Sequence, residues 1–349
     1  MRCIIHDGEA GLGGVKLAER DVPEPGAGEL RVKLRAAALN HRDIWTVLGR
    51  TPDEPAVILG SDGAGVIDAL GPRVEARVEA RVEAKVEAKL GQEVVINPGL
   101  GWLCKNDAPP EPGYPGLVLG YPDDGTLAEY VVIPAGNVAP KPRHLSWEEA
   151  AALPLVGLTT YRALFTMGGL KAGDWVVIPG IGAGTSIQAL IFAKAMGARV
   201  AATSRSPEKL EKAKGFGADA VFPSDSAWAD RLRELTGGLG ADLVIESVGK
   251  ATWDQSLACL RLGGRLVVFG STSGDLVELD LVSVFIRWIS IIGTTMGSAE
   301  EFAEMMAFSN AHGIRPVVDR VFPLEEGVEA LRYLDGATQF GKVVVKIAD

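Results

Sequence analysis

One segment, residues 174–202, constrains the fold of this chain more than any other. A short apolar run over Trp175–Ile178 predicts a buried strand, and a glycine-rich turn follows at residues 180–184. Helical spacing then continues to Gly197, and a second apolar run covers residues 199–202. A strand, a glycine turn, a helix and a strand within about 30 residues predict a βαβ unit of the dinucleotide-binding kind.

The glycines of this turn have a mechanical role. Without Cβ atoms the backbone N–H groups can approach a pyrophosphate, and the positive end of the next helix faces that anion. Gly180 and Gly182 match the first two positions of G-x-G-x-x-G, but Thr185 takes the third; the alternative spacing uses Gly180, Gly184 and Ser186. An ordinary strand-to-helix turn is the competing interpretation. The residues predicted to contact the cofactor are Gly180, Gly182, Ala183, Gly184 and Thr185.

Composition limits the class of protein. The 349 residues are 47% hydrophobic and 23% charged, which predicts a large core and two domains. A net charge of −10 without a basic stripe argues against a nucleic-acid partner. Cys3, Cys104 and Cys259 are widely spaced, which suits a reducing compartment. With no signal-peptide core and no apolar run near the ~20 residues of a membrane span, we expect a soluble, cytoplasmic protein with no membrane partner.

The pattern changes along the chain. Short strands with turn punctuation up to about residue 150 predict a β-rich domain, in the form of a barrel. Ser146 and Glu149 form a capping box for a helix that Pro154 ends, and a second helix is predicted from Thr159. Strands near 175–179, 199–203, 220–222, 243–246, 265–270 and 289–294 alternate with helices, which predicts a parallel doubly wound α/β sheet. The elements after residue 297 are predicted to return to the first domain.

A repeat of VEAR and VEAK occupies residues 74–89. As a helix it would stack four glutamates at i,i+4, where they repel. As a strand it would place Val and Ala on one face and the charges on the other. We interpret it as an extended surface segment, with a solvated charged arm as the alternative.

Several motifs together resemble the medium-chain dehydrogenase/reductase superfamily over essentially the whole chain. They are Pro23-x-Pro25-x-x-Gly28-Glu29, Ala36-Ala37-Ala38-Leu39-Asn40-His41-x-Asp43, Leu59-Gly60-x-Asp62-Gly63-Ala64-Gly65, Gly125-Thr126-x-Ala128-Glu129-Tyr130 and Gly341-Lys342-Val343-Val344. The resemblance implies a GroES-like β-barrel domain at 1–157 and 297–349, interrupted by a Rossmann domain at 158–296, with the active site in the cleft between them.

The metal ligands of the zinc alcohol dehydrogenases in this superfamily have no counterpart here. By resemblance, Asn40 stands in place of a cysteine, Ser61-Asp62 in place of a histidine–glutamate pair, and Val156 near the third ligand. These residue types cannot form the Cys/His set. The four cysteines of the structural zinc are reduced to Cys104 within residues 97–120. We predict no metal site; a different site built from His41, Asp43, Asp62 and Cys104 is the open alternative.

Loss of zinc limits the chemistry, because no Lewis acid then polarises the substrate oxygen. Quinones and α,β-unsaturated carbonyls are already activated for hydride, and the Leu39-Asn40-His41-x-Asp43 element resembles the zinc-independent quinone-oxidoreductase-like branch. We predict that Asn40 lies near the nicotinamide and the substrate, with Asp43 and Tyr161 as further catalytic candidates. The competing interpretation is that Asn40 only satisfies a turn.

The cofactor is predicted to be NADP(H). An acid about 20 residues beyond the glycines marks an NAD site, but this chain has Ser204 and Arg205 there, with Lys209 a turn further on. Cations and hydroxyls suit a 2′-phosphate; ordinary solvated charges are the alternative. By resemblance, further cofactor contacts are Thr160, Val248, Gly249, Phe269, Gly270, Thr295 and Lys342.

The leading hypothesis is therefore an NADPH-dependent, zinc-free reductase of a small-molecule quinone, enone or related carbonyl. Two alternatives are an alcohol dehydrogenase with an unrecognised metal site and a protein that binds or senses NADPH without turnover. The apolar strand near residues 289–292 would lie at a sheet edge, and an apolar edge tends to be covered. This predicts a homodimer in which two such edges pair.

Overall fold

The computed structural model describes residues 1–74, 88–109, 118–225 and 227–348, and the chain forms two compact units. Unit 1 contains Met1–Leu158 and Gly297–Asp349, and unit 2 contains Thr159–Met296. The interpretation of the repeat at residues 74–89 falls, except for its ends, outside the described residues.

The first segment of unit 1 is rich in strands, as predicted. Its strands are β1 (Arg2–His6), β2 (Val15–Glu19), β3 (Glu29–Ala38), β4 (Val57–Ile58), β5 (Asp62–Leu70), β6 (Glu93–Ile96), β7 (Tyr130–Pro134) and β8 (Val138–Pro140). Its helices are α1 (His41–Gly49) and α2 (Trp147–Ala152), and α3 (Pro154–Tyr161) begins in this segment and ends in unit 2. Leu30, Val32 and Leu34 alternate along β3 and are fully buried, so they form its inward face.

The two helices that close this segment show one prediction that is confirmed and one that is wrong. The capping box of α2 is present, with the Glu149 N–H donating to Ser146 Oγ at 3.2 Å. The next helix begins at Pro154 and not at Thr159, which lies near its end. The reason is that proline fits the first position of a helix, where its missing N–H is not needed. A π-helical turn, Arg162–Met167, follows α3.

Unit 2 is built on one parallel sheet. Its strands are β9 (Trp175–Ile178), β10 (Arg199–Ser204), β11 (Ala220–Pro223), β12 (Ala241–Glu246), β13 (Leu260–Val268) and β14 (Ser290–Gly293). Its helices are α4 (Gly184–Ala195), α5 (Pro207–Gly215), α6 (Trp228–Leu235), α7 (Trp253–Ala258) and α8 (Leu281–Ile286). The strand order β11-β10-β9-β12-β13-β14 is that of a Rossmann sheet, with all six strands parallel. This confirms the predicted parallel α/β sheet.

The last segment of the chain completes unit 1. It contains α9 (Ala299–Ala311), β15 (Val318–Pro323), α10 (Gly327–Asp335) and β16 (Lys342–Lys346). Strand β16 pairs antiparallel with β3, where Val344 lies opposite Ala38, and parallel with β15. The larger sheet of unit 1 has the order β15-β16-β3-β5-β6-β8, with β7 also paired to β3, and a smaller sheet has the order β2-β1-β4. The tail therefore supplies two strands to a sheet that begins some 300 residues earlier in the sequence, as the paired positions show.

Candidate active site and nucleotide-binding turn

A buried polar cluster in unit 1 joins three elements. Asn40 immediately precedes α1, Asp62 begins β5, and Lys342 begins β16. The Lys342 ammonium donates to Asn40 Oδ1 at 2.6 Å and to Asp62 Oδ2 at 2.9 Å, and Asn40 Nδ2 donates to Asp62 Oδ2 at 3.0 Å. The three residues are 7%, 0% and 4% exposed for Asn40, Asp62 and Lys342. Each therefore contacts the other two in an environment from which water is largely excluded.

Asp62 is the centre of this cluster. Its second oxygen, Oδ1, accepts the Leu155 N–H at 2.8 Å, in the first turn of α3. A carboxylate at a helix N-terminus is favoured by the helix dipole, and an ammonium partner offsets part of the cost of burying the charge. Removal of either member of such a pair leaves an uncompensated buried charge, which typically costs about 3–5 kcal/mol. The cluster therefore links the starts of α1, α3, β5 and β16, and it holds the charges of Asp62 and Lys342 in fixed positions.

Asp43 supports Asn40 from within α1. Its carboxylate accepts the Asn40 backbone N–H at 2.8 Å, and its side chain is 1% exposed. Burial raises the pKa of Asp43 to about 6, against the opposing effects of the Asn40 hydrogen bond and the Arg42 and Lys342 charges. Burial and the positive charge of Lys342 lower the pKa of His41. Asp43 is thus a carboxyl group whose pKa, at about 6, is close to neutral.

Arg42 supports the segment around residue 119, a role that its sequence position did not indicate. Its buried guanidinium donates to the carbonyl oxygens of Val118, Leu119 and Tyr121 at 3.0, 3.2 and 3.1 Å, and to Ser61 Oγ at 3.2 Å. Ser61 Oγ in turn donates to Leu119 O at 2.7 Å. Arg42 and Ser61 therefore hold the backbone around residue 119 in place. The signal available in the sequence was only that Arg42 lies within the Leu39-Asn40-His41-x-Asp43 motif.

The donor set of this cluster does not fit a catalytic zinc ion. The Lys342 ammonium lies against the same Asn40 and Asp62 oxygens that a metal would need, and a second cation there would be repelled. Ser61 Oγ donates a hydrogen bond to the Leu119 carbonyl oxygen, and Val156 is buried and has no atom that could bind a metal. Within residues 1–74, 88–109, 118–225 and 227–348, no three or more His, Cys, Asp or Glu side chains are grouped as a metal site. His41, Asp43, Asp62 and Cys104 are accordingly not brought together as such a group in the described ranges, and the absence of a metal site stays a prediction.

In unit 2, the glycine turn after β9 requires glycine at two positions. Gly180 has a φ of 68°, and a Cβ there would lie 2.6 Å from Val248 Cγ2. Gly182 has a φ of 142°, and its Cβ would lie 2.7 Å from Lys209 Cδ. Ser186 Oγ, beneath the turn, accepts the Gly182 N–H at 3.1 Å and donates to Ala183 O at 2.9 Å. The turn thus brings bare backbone to the start of α4, which fits the phosphates of a dinucleotide.

The first turn of α4 contains the remaining predicted contacts of this kind. Gly184 and Thr185 are its first two residues, and Ala183 precedes them with extended backbone angles. Their backbone N–H groups belong to the set that a helix leaves without intrahelical partners. An anion bound at this end would receive those N–H groups and the positive end of the helix dipole.

Positive charge lies beside the glycine turn. Lys209, in the first turn of α5, lies so close that a Cβ on Gly182 would be 3.1 Å from its Nζ. Arg205 is exposed directly after β10, and Ser204 Oγ accepts the Ser206 N–H at 3.1 Å. This end of β10 therefore combines two cations with hydroxyl groups. An acidic residue is not found at positions 203–207, all of which the structure describes.

Two further loops predicted to contact the cofactor lie side by side in unit 2. The loop after β12 contains Val248 and Gly249, and the loop after β13 contains Phe269 and Gly270. The Ser273 N–H donates to Val248 O at 2.7 Å, which joins the two loops. Both follow the carboxyl ends of parallel strands, where open α/β sheets bind ligands.

A buried carboxylate that the sequence analysis missed fixes the first of these loops. Glu246, fully buried at the end of β12, accepts the backbone N–H groups of Val248 and Gly249 at 2.7 and 3.0 Å. It also accepts the hydroxyls of Thr252 and Ser256, the latter at 2.6 Å. The signal available was an acid at the end of an apolar strand directly before a glycine-containing turn.

The remaining predicted residues, three in unit 2 and Lys342 in unit 1, have different surroundings. Thr160 is fully buried in the last turn of α3, and Thr295 is exposed just after β14. The Tyr161 ring packs against the rings of Phe165 and Phe192, with centroids 4.9 and 6.5 Å away. The catalytic role of Tyr161 stays a prediction. Lys342, predicted for the cofactor, lies instead within the cluster of Asn40 and Asp62, and any contact with a cofactor also stays a prediction.

Comparison with known proteins places these two units. Residues 26–143 match the family model of the alcohol dehydrogenase GroES-like domain, and residues 184–311 match that of the zinc-binding dehydrogenases. A zinc-type alcohol dehydrogenase-like protein of Schizosaccharomyces pombe is 36% identical over 99% of this chain and 99% of its own length. The chain belongs to the medium-chain dehydrogenase/reductase superfamily. The GroES-like and Rossmann domains implied by its motifs are confirmed, and this medium-chain dehydrogenase/reductase is an oxidoreductase that uses a nicotinamide cofactor.

Other relatives of this medium-chain dehydrogenase/reductase differ in their names. A crotonyl-CoA reductase of Streptomyces collinus is 31% identical over 95% of this chain and 81% of its own. Among solved structures, an NAD-dependent alcohol dehydrogenase has a TM-score of 0.87 and 39% identity, covering 100% of both chains. A mycobacterial quinone oxidoreductase has a TM-score of 0.82 and 28% identity, covering 99% of this chain and 100% of its own. A mycobacterial structure complexed with NADPH has a TM-score of 0.80 and 28% identity, covering 99% of this chain and 100% of its own.

No helix in the described ranges combines the length and the apolar character needed to cross a bilayer.

Proposed function

We propose that this protein is an NADPH-dependent reductase that transfers hydride to a quinone, an enone or a related activated carbonyl without a zinc ion. The observation that carries the proposal is the Lys342 ammonium, bonded to Asn40 at 2.6 Å and to Asp62 at 2.9 Å. By resemblance these positions belong to the ligand set of the zinc dehydrogenases. An organic cation there supports chemistry in which the substrate needs hydrogen-bond donors and not a Lewis acid.

The residues of the chain have defined tasks in this proposal. NADPH, when bound, supplies the hydride. The glycine turn at Gly180 and Gly182 and the helix dipole of α4 hold its pyrophosphate. Asn40 presents its amide to the oxygen of the acceptor, and Asp62 orients that amide through the bond at 3.0 Å. Asp43 fixes the backbone of Asn40 at 2.8 Å. The proposed acceptors include α,β-unsaturated thioesters, because one relative is named as a crotonyl-CoA reductase.

The preference for NADPH over NADH rests on the cations of unit 2. A 2′-phosphate carries about two negative charges, and hydrogen bonds to charged groups are worth about 1.5–3 kcal/mol each. Arg205 and Lys209 follow β10, where an NAD site has an acid. The NADPH complex of a mycobacterial relative supports the same choice.

Reversal of one charge tests this preference. Lys209→Glu should raise the KM for NADPH about tenfold to a hundredfold, which corresponds to roughly 1.5–3 kcal/mol, and should change the KM for NADH much less. Lys214→Glu is the matched control, because Lys214 lies in the same helix, is exposed and pairs with Glu211 at 2.6 Å. An equal effect of both variants would refute a 2′-phosphate site at Lys209.

The zinc-free mechanism is tested by metal analysis together with turnover. Purified protein should oxidise NADPH when simple quinones or enones are added, and treatment with a strong chelator should leave the rate unchanged. A requirement for one tightly held zinc ion per chain would instead establish the alcohol dehydrogenase alternative. Tight NADPH binding without turnover across many acceptors would establish the sensor alternative.

We also propose that the protein forms a homodimer through the β14 edge of unit 2. Strand β14 ends the sheet order and pairs with β13. Large apolar side chains are exposed along the adjoining segment, with Phe285 60%, Ile286 64% and Trp288 79% exposed. An apolar patch of this kind beside an open strand edge favours pairing with a second copy.

A further inference from the structure

Hydrogen-bond donors remain in the cluster of Asn40, Asp62 and Lys342 after its internal bonds are counted. A side-chain amide has two N–H donors, and an ammonium has three. Within the described part of the chain, the Asn40 amide gives one N–H to Asp62, and the Lys342 ammonium gives two to Asn40 and Asp62. One N–H on each group is therefore left for a further acceptor. The two groups are adjacent, since Lys342 Nζ lies 2.6 Å from Asn40 Oδ1.

The surroundings strengthen both donors. Lys342 and Asp62 are 4% and 0% exposed, so the ammonium acts in a poorly screened environment. Because Asp62 also accepts the Leu155 N–H at 2.8 Å, its charge is shared among three donors. The ammonium donates a hydrogen bond to the amide oxygen of Asn40, and this polarises the amide and makes its N–H groups stronger donors. Donors that are already fixed in place need no reorganisation when charge develops at a bound oxygen.

We propose that Lys342, together with Asn40, is a catalytic residue that stabilises the oxyanion formed on the acceptor. This inference rests on the proposed function and adds a chemical role for Lys342. Hydride adds to the β-carbon of an enone, the π electrons of its C=C bond form a new C=C bond to the carbonyl carbon, and the C=O electrons move to oxygen. Bound NADPH would supply the two electrons of the hydride, by which the enone is reduced to its enolate. The remaining N–H groups of Lys342 and Asn40 donate to the enolate oxygen, and water then supplies the proton to the α-carbon.

The test compares turnover with cofactor binding in Lys342→Gln. Loss of one oxyanion donor lowers kcat by about 10²–10³ in other enzymes, so we expect about a hundredfold loss for a simple enone. The loss should be smaller for benzoquinone, whose reduced anion needs less stabilisation. The dissociation constant of NADPH, measured from its fluorescence, should not change. Lys342→Arg should recover a large part of the rate, and Lys346→Gln, at the exposed end of the same strand, should behave as wild type.

A second variant keeps the test valid if Lys342→Gln is poorly folded. Lys342→Gln combined with Asp62→Asn removes the buried charge that the single substitution leaves unpaired. It should fold, bind NADPH as wild type does, and show the same dependence of the loss on the acceptor.

Three results would overturn the inference. Weaker NADPH binding with an unchanged kcat would make Lys342 a cofactor contact. An equal loss for enone and quinone would make it a positioning residue only, and an unchanged rate would give it no role in turnover. These results differ from failure of the proposed function, in which the wild-type chain itself would reduce no quinone or enone with NADPH.

Discussion

Asp43 gives the sharpest quantitative prediction. Burial raises its pKa from 3.8 to about 6, so the folded chain holds a proton that the unfolded chain has lost. The carboxyl group therefore opposes folding increasingly as pH rises from about 4 to about 6, and its full cost above that range is about 3 kcal/mol at 1.36 kcal/mol per pH unit. Between about pH 5 and pH 7.5 the cost grows by about 1.4 kcal/mol.

Asp43→Asn removes this dependence and keeps the hydrogen bond. The asparagine oxygen can still accept the Asn40 N–H, which lies 2.8 Å from the carboxylate. The stability of the variant relative to wild type should therefore increase by about 1.4 kcal/mol from about pH 5 to pH 7.5. In melting temperature this is a relative gain of about 3–6 °C for a unit of this size.

The assay is thermal or urea unfolding of both proteins side by side at several pH values. Asp53→Asn, in an exposed loop before β4, is the control for the removal of one surface carboxylate. A difference between Asp43→Asn and wild type that stays constant with pH, or that falls as pH rises, would refute the reasoning. It would mean that Asp43 is ionised in the folded protein at every pH tested.

Three further predictions follow from other parts of the structure. Gly182→Ala should raise the KM for NADPH at least about tenfold, because its φ of 142° strains any residue with a Cβ, whereas Gly215→Ala has open space and should have no effect. In light scattering, wild type should have twice the chain mass and Phe285→Asp should be monomeric, while Leu239→Asp, at an exposed apolar residue elsewhere in unit 2, should remain a dimer. A thiol reagent should modify only the half-buried Cys104 rapidly in the native protein, because the other two thiols are buried and burial raises their pKa.

Local patterns made the parallel sheet and the glycine turn predictable. The apolar run of β9, the glycines and the helical spacing of α4 are all within one short segment, so the sequence itself contains the whole βαβ signal. The prediction that the next helix starts at Thr159 was wrong for a local reason too. Pro154 was interpreted only as the end of the preceding helix, although it is also the first residue of α3. A proline has both meanings, and the residues around it do not distinguish them.

The partners of Asn40 could not be predicted in the same way. Asn40 was singled out from its motif, but Lys342 is 302 positions away and Asp62 is 22 positions away. Such contacts depend on how β16 pairs with β3, which no short window contains. Glu246 was missed for a different reason. It accepts hydrogen bonds from backbone N–H groups, and these cannot be recognised from the sequence except through the neighbouring glycine.

The return of the tail to unit 1 has a consequence for biosynthesis. Lys342 meets Asp62 only when β16 has joined β3, so a nascent chain on the ribosome contains the whole of unit 2 before its ion pair exists. Domains fold largely in the order of their translation, and unit 2 can thus mature first, while Asp62 waits for its counter-ion. The Asp62–Lys342 ion pair can therefore form only after all of unit 2 has been synthesised.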